Sequence, residues 1–142
     1  MSNDLSFVMR VVDLLSAGGF KTWLFGGWAE ELRGLCAPRD HRDVDLLFPA
    51  PDFRRLDAFV LASRLDPVGD DRAYARAFAF DDVTVELLLV SRDAVGWYTD
   101  FRGGRHRWPL NVFGRSAWPP VASTEAILSY REAYASLHAR AA

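Results

Sequence analysis

Two aspartates stand two residues apart in Asp43-Val44-Asp45, at the head of the apolar run Leu46-Leu47-Phe48. In an extended chain such residues project from one face, with Cα atoms roughly 6.6 Å apart, so both carboxylates can turn toward one ion. Like charges held this close repel, and a cation compensates them. An all-oxygen donor set suits Mg²⁺, which keeps some waters and is completed by substrate phosphates. A third carboxylate, Glu86, is the single charge in the apolar run over residues 83–90. Apolar residues on both faces of that run predict a central strand. A buried carboxylate there must be neutral, paired or bound to a cation. By itself Glu86 is better explained by a strand edge or an arginine partner. Beside Asp43 and Asp45 it makes a three-carboxylate metal site the stronger reading.

A pair of glycines, Gly26-Gly27, lies sixteen residues before Asp43. It follows a predicted strand and opens a predicted helix, which exposes backbone N–H groups suited to a phosphate. A tight strand-to-helix turn that needs glycine for its dihedrals explains the pair equally well. The spacing favours the phosphate reading, because it sets the pair and the aspartates at the ends of neighbouring strands.

The elements that must carry these residues follow from periodicity. Leu5, Val8, Met9, Val12 and Leu15 recur at helical spacing until Gly18-Gly19. A short strand is predicted over 22–25, a short helix from Trp28 closed by Gly34, a strand over 44–48 and a helix over 52–65. Residues 73–80 alternate loosely, Asp81-Asp82 reads as a turn, and 83–90 is the strongest strand. Residues 97–101 and 105–110 flank Gly103-Gly104 as a hairpin. After Pro119-Pro120, Ser123 is a natural N-cap for a last helix over 124–140, with Glu125 in its first turn. The order predicts an α/β (α+β) fold, a mixed sheet packed by helices with a C-terminal helix.

Composition sets the outer bounds. The chain has 142 residues, half hydrophobic and a quarter charged, which predicts one globular domain over 1–142. The longest apolar runs fall short of the roughly 18 residues of a membrane span, and the start has no signal-peptide character, so a cytoplasmic protein with no membrane partner is expected. A net charge of -2 offers no footprint for nucleic acid. Cys36 is the only cysteine and has no partner for a disulfide or a CxxC site. The basic stretch at 102–107 reads as a solvated hairpin tip.

The glycines and carboxylates together resemble a known family. Gly26, Gly27, Trp28, Glu31, Arg39, His41, Asp43 and Asp45 match, without a gap, the pattern of the lincosamide and aminoglycoside 2''-O-nucleotidyltransferases: GGW, an acid three positions on, then R-x-H-x-D-h-D with h hydrophobic. Close similarity covers about residues 22–48, with looser agreement through Glu86 and the last helix. The resemblance implies a polymerase-β-type nucleotidyltransferase fold and Mg²⁺-dependent transfer of AMP from ATP, or of another NMP from its NTP, to a hydroxyl of a small molecule such as an aminoglycoside or lincosamide. It implies that Asp43, Asp45 and Glu86 are the catalytic and metal residues, with Glu86 as ligand, general base or both. Gly26, Gly27 and Trp28 would form the nucleotide side of the site, with Arg39 and His41 beside the phosphates. Two metal ions would then activate the acceptor oxygen and stabilise the leaving pyrophosphate.

Glu31 and Asp93 are acids able to attract a cationic acceptor, although ordinary solvated acids explain each singly. Larger relatives add a C-terminal helical domain that helps hold the acceptor. This chain has one helix there, so its acceptor site calls for a partner protomer in a homodimer or for the aromatic hairpin of Trp97, Tyr98, Phe101 and Trp108. Glutamate at position 31, where relatives commonly carry aspartate, is a mild departure.

Rival readings fit less well. A haloacid-dehalogenase phosphatase needs a Thr or Val where Leu47 stands and a lysine after the motif, whereas Lys21, the only lysine, precedes it. An EF-hand loop needs a glycine and further oxygens where Leu46-Leu47 lie. The alternative of weight is a minimal nucleotidyltransferase domain of a toxin–antitoxin type pair, binding nucleotide or modifying a partner protein, or a catalytically degenerate homologue.

Overall fold

A computed structural model of the chain describes residues 3–69 and 72–139. The elements run α1 (Leu5–Ala17), β1 (Trp23–Phe25), α2 (Gly26–Leu32), β2 (Asp43–Pro49), α3 (Arg54–Ala62), β3 (Asp66–Pro67), β4 (Ala75–Phe80), β5 (Val83–Arg92), β6 (Trp97–Phe101), β7 (Gly104–Arg107) and α4 (Thr124–Leu137). Asp4 caps α1 by accepting from the Phe7 amide, and Ser123 caps α4 by accepting from that of Ala126, each satisfying a donor that the helix itself cannot.

The strands form one sheet in the order β1-β2-β5-β4-β3, with the β6–β7 hairpin continuing from the far end of β5. Among the strands of the described residues, β2 and β5 alone pair parallel. Asp81 and Asp82, at φ 47° and 64°, make the tight β4–β5 turn, since two left-handed residues match the twist of a two-residue hairpin.

Strand parity sorts the side chains between two cores. Val44, Leu46 and Phe48 of β2, with Val83, Val85 and Leu87 of β5, face α1 and α3, where they meet Phe7, Val11, Leu15, Leu56 and Val60. Leu47, Leu88 and Val90 face the other way, toward Phe101, Trp108, Ile127 and Leu137 of the hairpin and α4. Asp43, Asp45 and Glu86 share the parity of this second set. The three carboxylates therefore emerge on the α4 side of the sheet.

The structure departs from the sequence reading at several edges. The second helix starts at Gly26, two residues before Trp28. The third spans only Arg54–Ala62. The strand at the second arm of the hairpin ends at Arg107, just before Pro109, which has no N–H for a ladder. Beyond it residues 120–122 run along β1, where Leu24 donates to the Pro120 carbonyl at 2.8 Å and accepts from the Ala122 amide at 2.9 Å. The two-residue strand β3, on the edge of β4, is too short to leave a periodic signal. The predicted end of the last helix, at Arg140, lies outside the described residues. Among the described residues no helix is long and apolar enough to cross a membrane.

Candidate active site

The site begins where β1 becomes α2. Phe25 pairs with Asp45 across the antiparallel β1–β2 ladder, so the next residue, Gly26, is held against the Asp45 side chain. Its φ is +59°, and an added Cβ would overlap Asp45 Oδ2. Glycine is required here twice over, by dihedral and by space. A Cβ at Gly27 would lie 2.5 Å from Arg39 Nη2 and 2.9 Å from His41 Nδ1. The second glycine thus lets the Arg39–His41 loop close over the start of α2, whose first turn receives no side-chain cap.

On the next ladder, Asp45 stands opposite Glu86, and Asp43 opposite Thr84. Directly opposed residues on one sheet face place their side chains together. Burial, with Asp43 and Glu86 beside it, pushes the Asp45 carboxyl up to about 7. Glu86 is not the buried group that its apolar strand predicts. Its side chain is 36% exposed, and its Oε2 accepts from Arg72 Nη2 at 3.0 Å. The strand is central, but Glu86 faces an open cavity rather than packed protein. Asp43 is exposed at the start of β2. Among the described residues no three His, Cys, Asp or Glu side chains are gathered as a ready metal cage, with Glu86 drawn to its arginine. The donor chemistry nevertheless fits a hard divalent cation: two carboxylates of one strand, a third in register beside them, and mutual repulsion that a cation relieves.

Arg39, His41 and Trp28 form a layered support. His41 is buried, with Nε2 3.0 Å from Glu31 Oε1, and its ring lies 4.2 Å from that of Trp28. Trp28, 6% exposed, donates through Nε1 to Asn3 Oδ1 at 3.1 Å, and Asn3 Nδ2 reaches the His41 and Asp43 carbonyls at 3.2 and 2.9 Å. Arg39 is exposed, and its amide donates to Glu31 Oε1 at 2.9 Å. The backbone leading into Asp43 is thereby tied to α2.

The acids expected to draw a cationic acceptor are already engaged. The Arg39 amide and the His41 ring hold the Glu31 carboxyl below its usual range. Asp93 is clasped by Arg107 at 2.5 and 2.7 Å, which holds its carboxyl well below the usual range. The aromatic hairpin is also spoken for. Phe101 and Trp108 are core, Trp97 packs on Phe113 at 5.0 Å, and Tyr98 lies under Arg105 at 3.8 Å.

The cavity beside the carboxylates is built instead by α4. About 480 Å³ in volume, it is lined by Asp45 and Glu86 on the sheet, by Phe25, Gly26 and Glu30, and by Ile127, Tyr130, Arg131 and Tyr134. These α4 residues recur at i, i+3, i+4 and i+7, one face of a helix. Their apolar members read as core from periodicity alone, and the intervening arginine was the only sign of a pocket wall. Tyr130 is wedged against Phe25 at 5.1 Å and Phe101 at 5.6 Å, and its hydroxyl lies 2.7 Å from His138 Nε2. Burial pushes that hydroxyl well above its usual range, with Tyr134, Glu86 and Asp45 adding to the effect. Arg131 pairs with Glu30 of α2, joining the two helices at the cavity wall.

The sheet order, the carboxylates on β2 and β5 and the glycine turn define a nucleotidyltransferase fold. Its solved neighbours carry the same fold at low identity. A lincosamide antibiotic adenylyltransferase, LnuA, in its lincomycin-bound form superposes with a TM-score of 0.74 at 17% identity, over 94% of this chain and 89% of that one. ANT(2'')-Ia in complex with adenylyl-2''-tobramycin gives 0.65 at 20% identity, over 92% and 75%. A putative nucleotidyltransferase from Thermotoga maritima gives 0.53 at 16%, over 92% and 83%. Curated protein sequences give no match. The family model of the aminoglycoside-2''-adenylyltransferases matches residues 7–115. The chain belongs to that family, and it is a nucleotidyltransferase.

Proposed function

We propose that the protein transfers AMP from ATP to a hydroxyl of an antibiotic of the aminoglycoside or lincosamide kind, with Mg²⁺ as cofactor. The observation that carries this reading is the register of Asp45 with Glu86 on parallel strands at the floor of the α4 cavity, with Asp43 two residues away. Family membership and the antibiotics bound by its structural neighbours support the acceptor class.

Asp43, Asp45 and Glu86 would hold Mg²⁺, which when bound supplies neutralisation of phosphate charge and a more acidic acceptor hydroxyl. Gly26 and Gly27 let Asp45, Arg39 and His41 close against the start of α2, where the triphosphate would meet the exposed Arg39 cation. Trp28 and His41 act through this loop, holding its shape. The acceptor lies against Ile127, Tyr130 and Tyr134 of α4. In the reaction the acceptor oxygen attacks the α-phosphorus in line. The bond from that phosphorus to the β-phosphate oxygen breaks, pyrophosphate leaves, and the hydroxyl proton passes to Glu86. Positioning and charge compensation supply most of the acceleration.

The test is pyrophosphate release with Mg²⁺, each NTP, and a panel of aminoglycosides and lincosamides. ATP with at least one antibiotic is expected to turn over, and Asp43→Asn to abolish it. Silence across the panel, with ATP binding that still depends on Asp45, would replace this reading by a nucleotide-binding module.

A further inference from the structure

Glu86 is held by a side chain from outside the strand pair that carries the carboxylates. Arg72 precedes β4, and its backbone is pinned more firmly than its partly exposed head. The Arg72 carbonyl accepts from the Ala75 amide at 3.3 Å and from Arg76 Nη1 at 2.6 Å, and Arg76 is tied to Asp57 of α3 at 3.1 Å. The Arg72 guanidinium lies over the Tyr74 ring at 5.2 Å and gives Glu86 a single hydrogen bond at 3.0 Å, with both side chains 36% exposed. Tyr74 is itself fixed by Phe101 at 5.3 Å. This is a fixed pivot whose head rests on Tyr74 and, partly exposed, meets Glu86 through one hydrogen bond.

We infer that Arg72 is the resident counter-cation of Glu86, displaced from it when a divalent cation binds, and that it thereby sets how tightly the cation is held. The inference rests on the proposed reading of Asp43, Asp45 and Glu86 as metal carboxylates. A half-solvated pair held by one bond is weak, whereas a doubly charged ion facing three carboxylates at once gains more from each. Exchange therefore favours the ion, less the cost of freeing Glu86.

The experiment is Mn²⁺ binding to the full chain without nucleotide, followed by the paramagnetic resonance of free Mn²⁺, with melting curves to verify folding. The proteins are wild type, Arg72→Met, Arg72→Lys, Glu86→Gln, Asp45→Asn and the double variant Arg72→Met/Glu86→Gln. Arg72→Met is expected to tighten Mn²⁺ roughly fivefold, the scale of a partly exposed ion pair, and Arg72→Lys to fall between it and wild type. Glu86→Gln is expected to weaken binding, and Arg72→Met to have no effect in that background. If Arg72→Met leaves affinity unchanged or lowers it while Glu86→Gln weakens it, the counter-cation role is overturned and Glu86 remains a ligand. If only Asp45→Asn weakens binding, Glu86 is not a ligand and the inference falls with that part of the reading. Failure of the antibiotic reading would show separately, as absent pyrophosphate release from a protein that still binds Mn²⁺.

Discussion

Asp45 and Glu86 face each other across the parallel strand pair β2 and β5. Neither residue is near the other in sequence; on the face toward α4 Asp45 lies between Asp43 and Leu47, and Glu86 between Thr84 and Leu88. Parallel pairing brings Asp45 and Glu86 to one cavity, with Asp43 two residues away on the same sheet face.

That juxtaposition has a cost measurable without turnover. Asp45, raised to about 7, binds its proton more tightly folded than unfolded. Its favourable contribution is complete below the unfolded value near 4 and is lost as pH rises through 7. In chelator, the stability of wild type relative to Asp45→Asn should therefore fall by about 2 kcal/mol between pH 4 and 8, a figure discounted for solvent in the cavity. Urea unfolding of the two proteins across this range measures it. Millimolar Mg²⁺ should remove most of the slope, and a pH-independent difference would show that Asp45 is not strained.

The two glycines should separate. Gly26→Ala meets both a left-handed φ and the Asp45 carboxylate, so it should cost about 1–2 kcal/mol of stability and remove most pyrophosphate release. Gly27→Ala meets the movable end of Arg39 and the held ring of His41. It should cost less stability than Gly26→Ala and raise KM for the nucleotide. Melting curves beside KM and kcat distinguish the two.

Tyr130 tests the cavity wall. Tyr130→Phe keeps the ring contacts and loses the bond to His138, at about 1 kcal/mol. Tyr130→Ala removes the ring from the cavity lining and should raise KM for the antibiotic by roughly tenfold or more, with KM for ATP changed less. Equal effects on both substrates would move the acceptor away from α4.

Asp93 provides the converse. Its carboxylate is taken by Arg107 and is absent from the cavity lining. Asp93→Asn should leave kcat and both KM values unchanged while loosening the β6–β7 hairpin, visible as faster amide exchange there. A rise in antibiotic KM would restore it to the acceptor site.

Much of this protein was legible in order along the chain. The Asp43-Val44-Asp45 spacing carries its own geometry, because strand parity needs only two residues. The same holds for the alternation of β5, the left-handed turn at Asp81-Asp82, the Ser123 cap and the gap-free run from Gly26 to Asp45 that resembles the family. Each is a local property, fixed by steric preference or by the nearest neighbours. What surrounds the carboxylates is not local. Arg72 meets Glu86 only because β4 and β5 are adjacent. Glu31 and Asp93, plausible acceptor acids by charge, are engaged by partners from other segments. Tyr130 and Tyr134 are indistinguishable from core by helical period, and become a pocket wall because α4 stands off the sheet where Asp45 and Glu86 emerge. Sequence determined which residues are candidates for the chemistry, through spacing along one strand and one turn. Tertiary structure decided which of the candidate charges are paired and which aromatics line the cavity, since both depend on contacts between segments far apart in the chain.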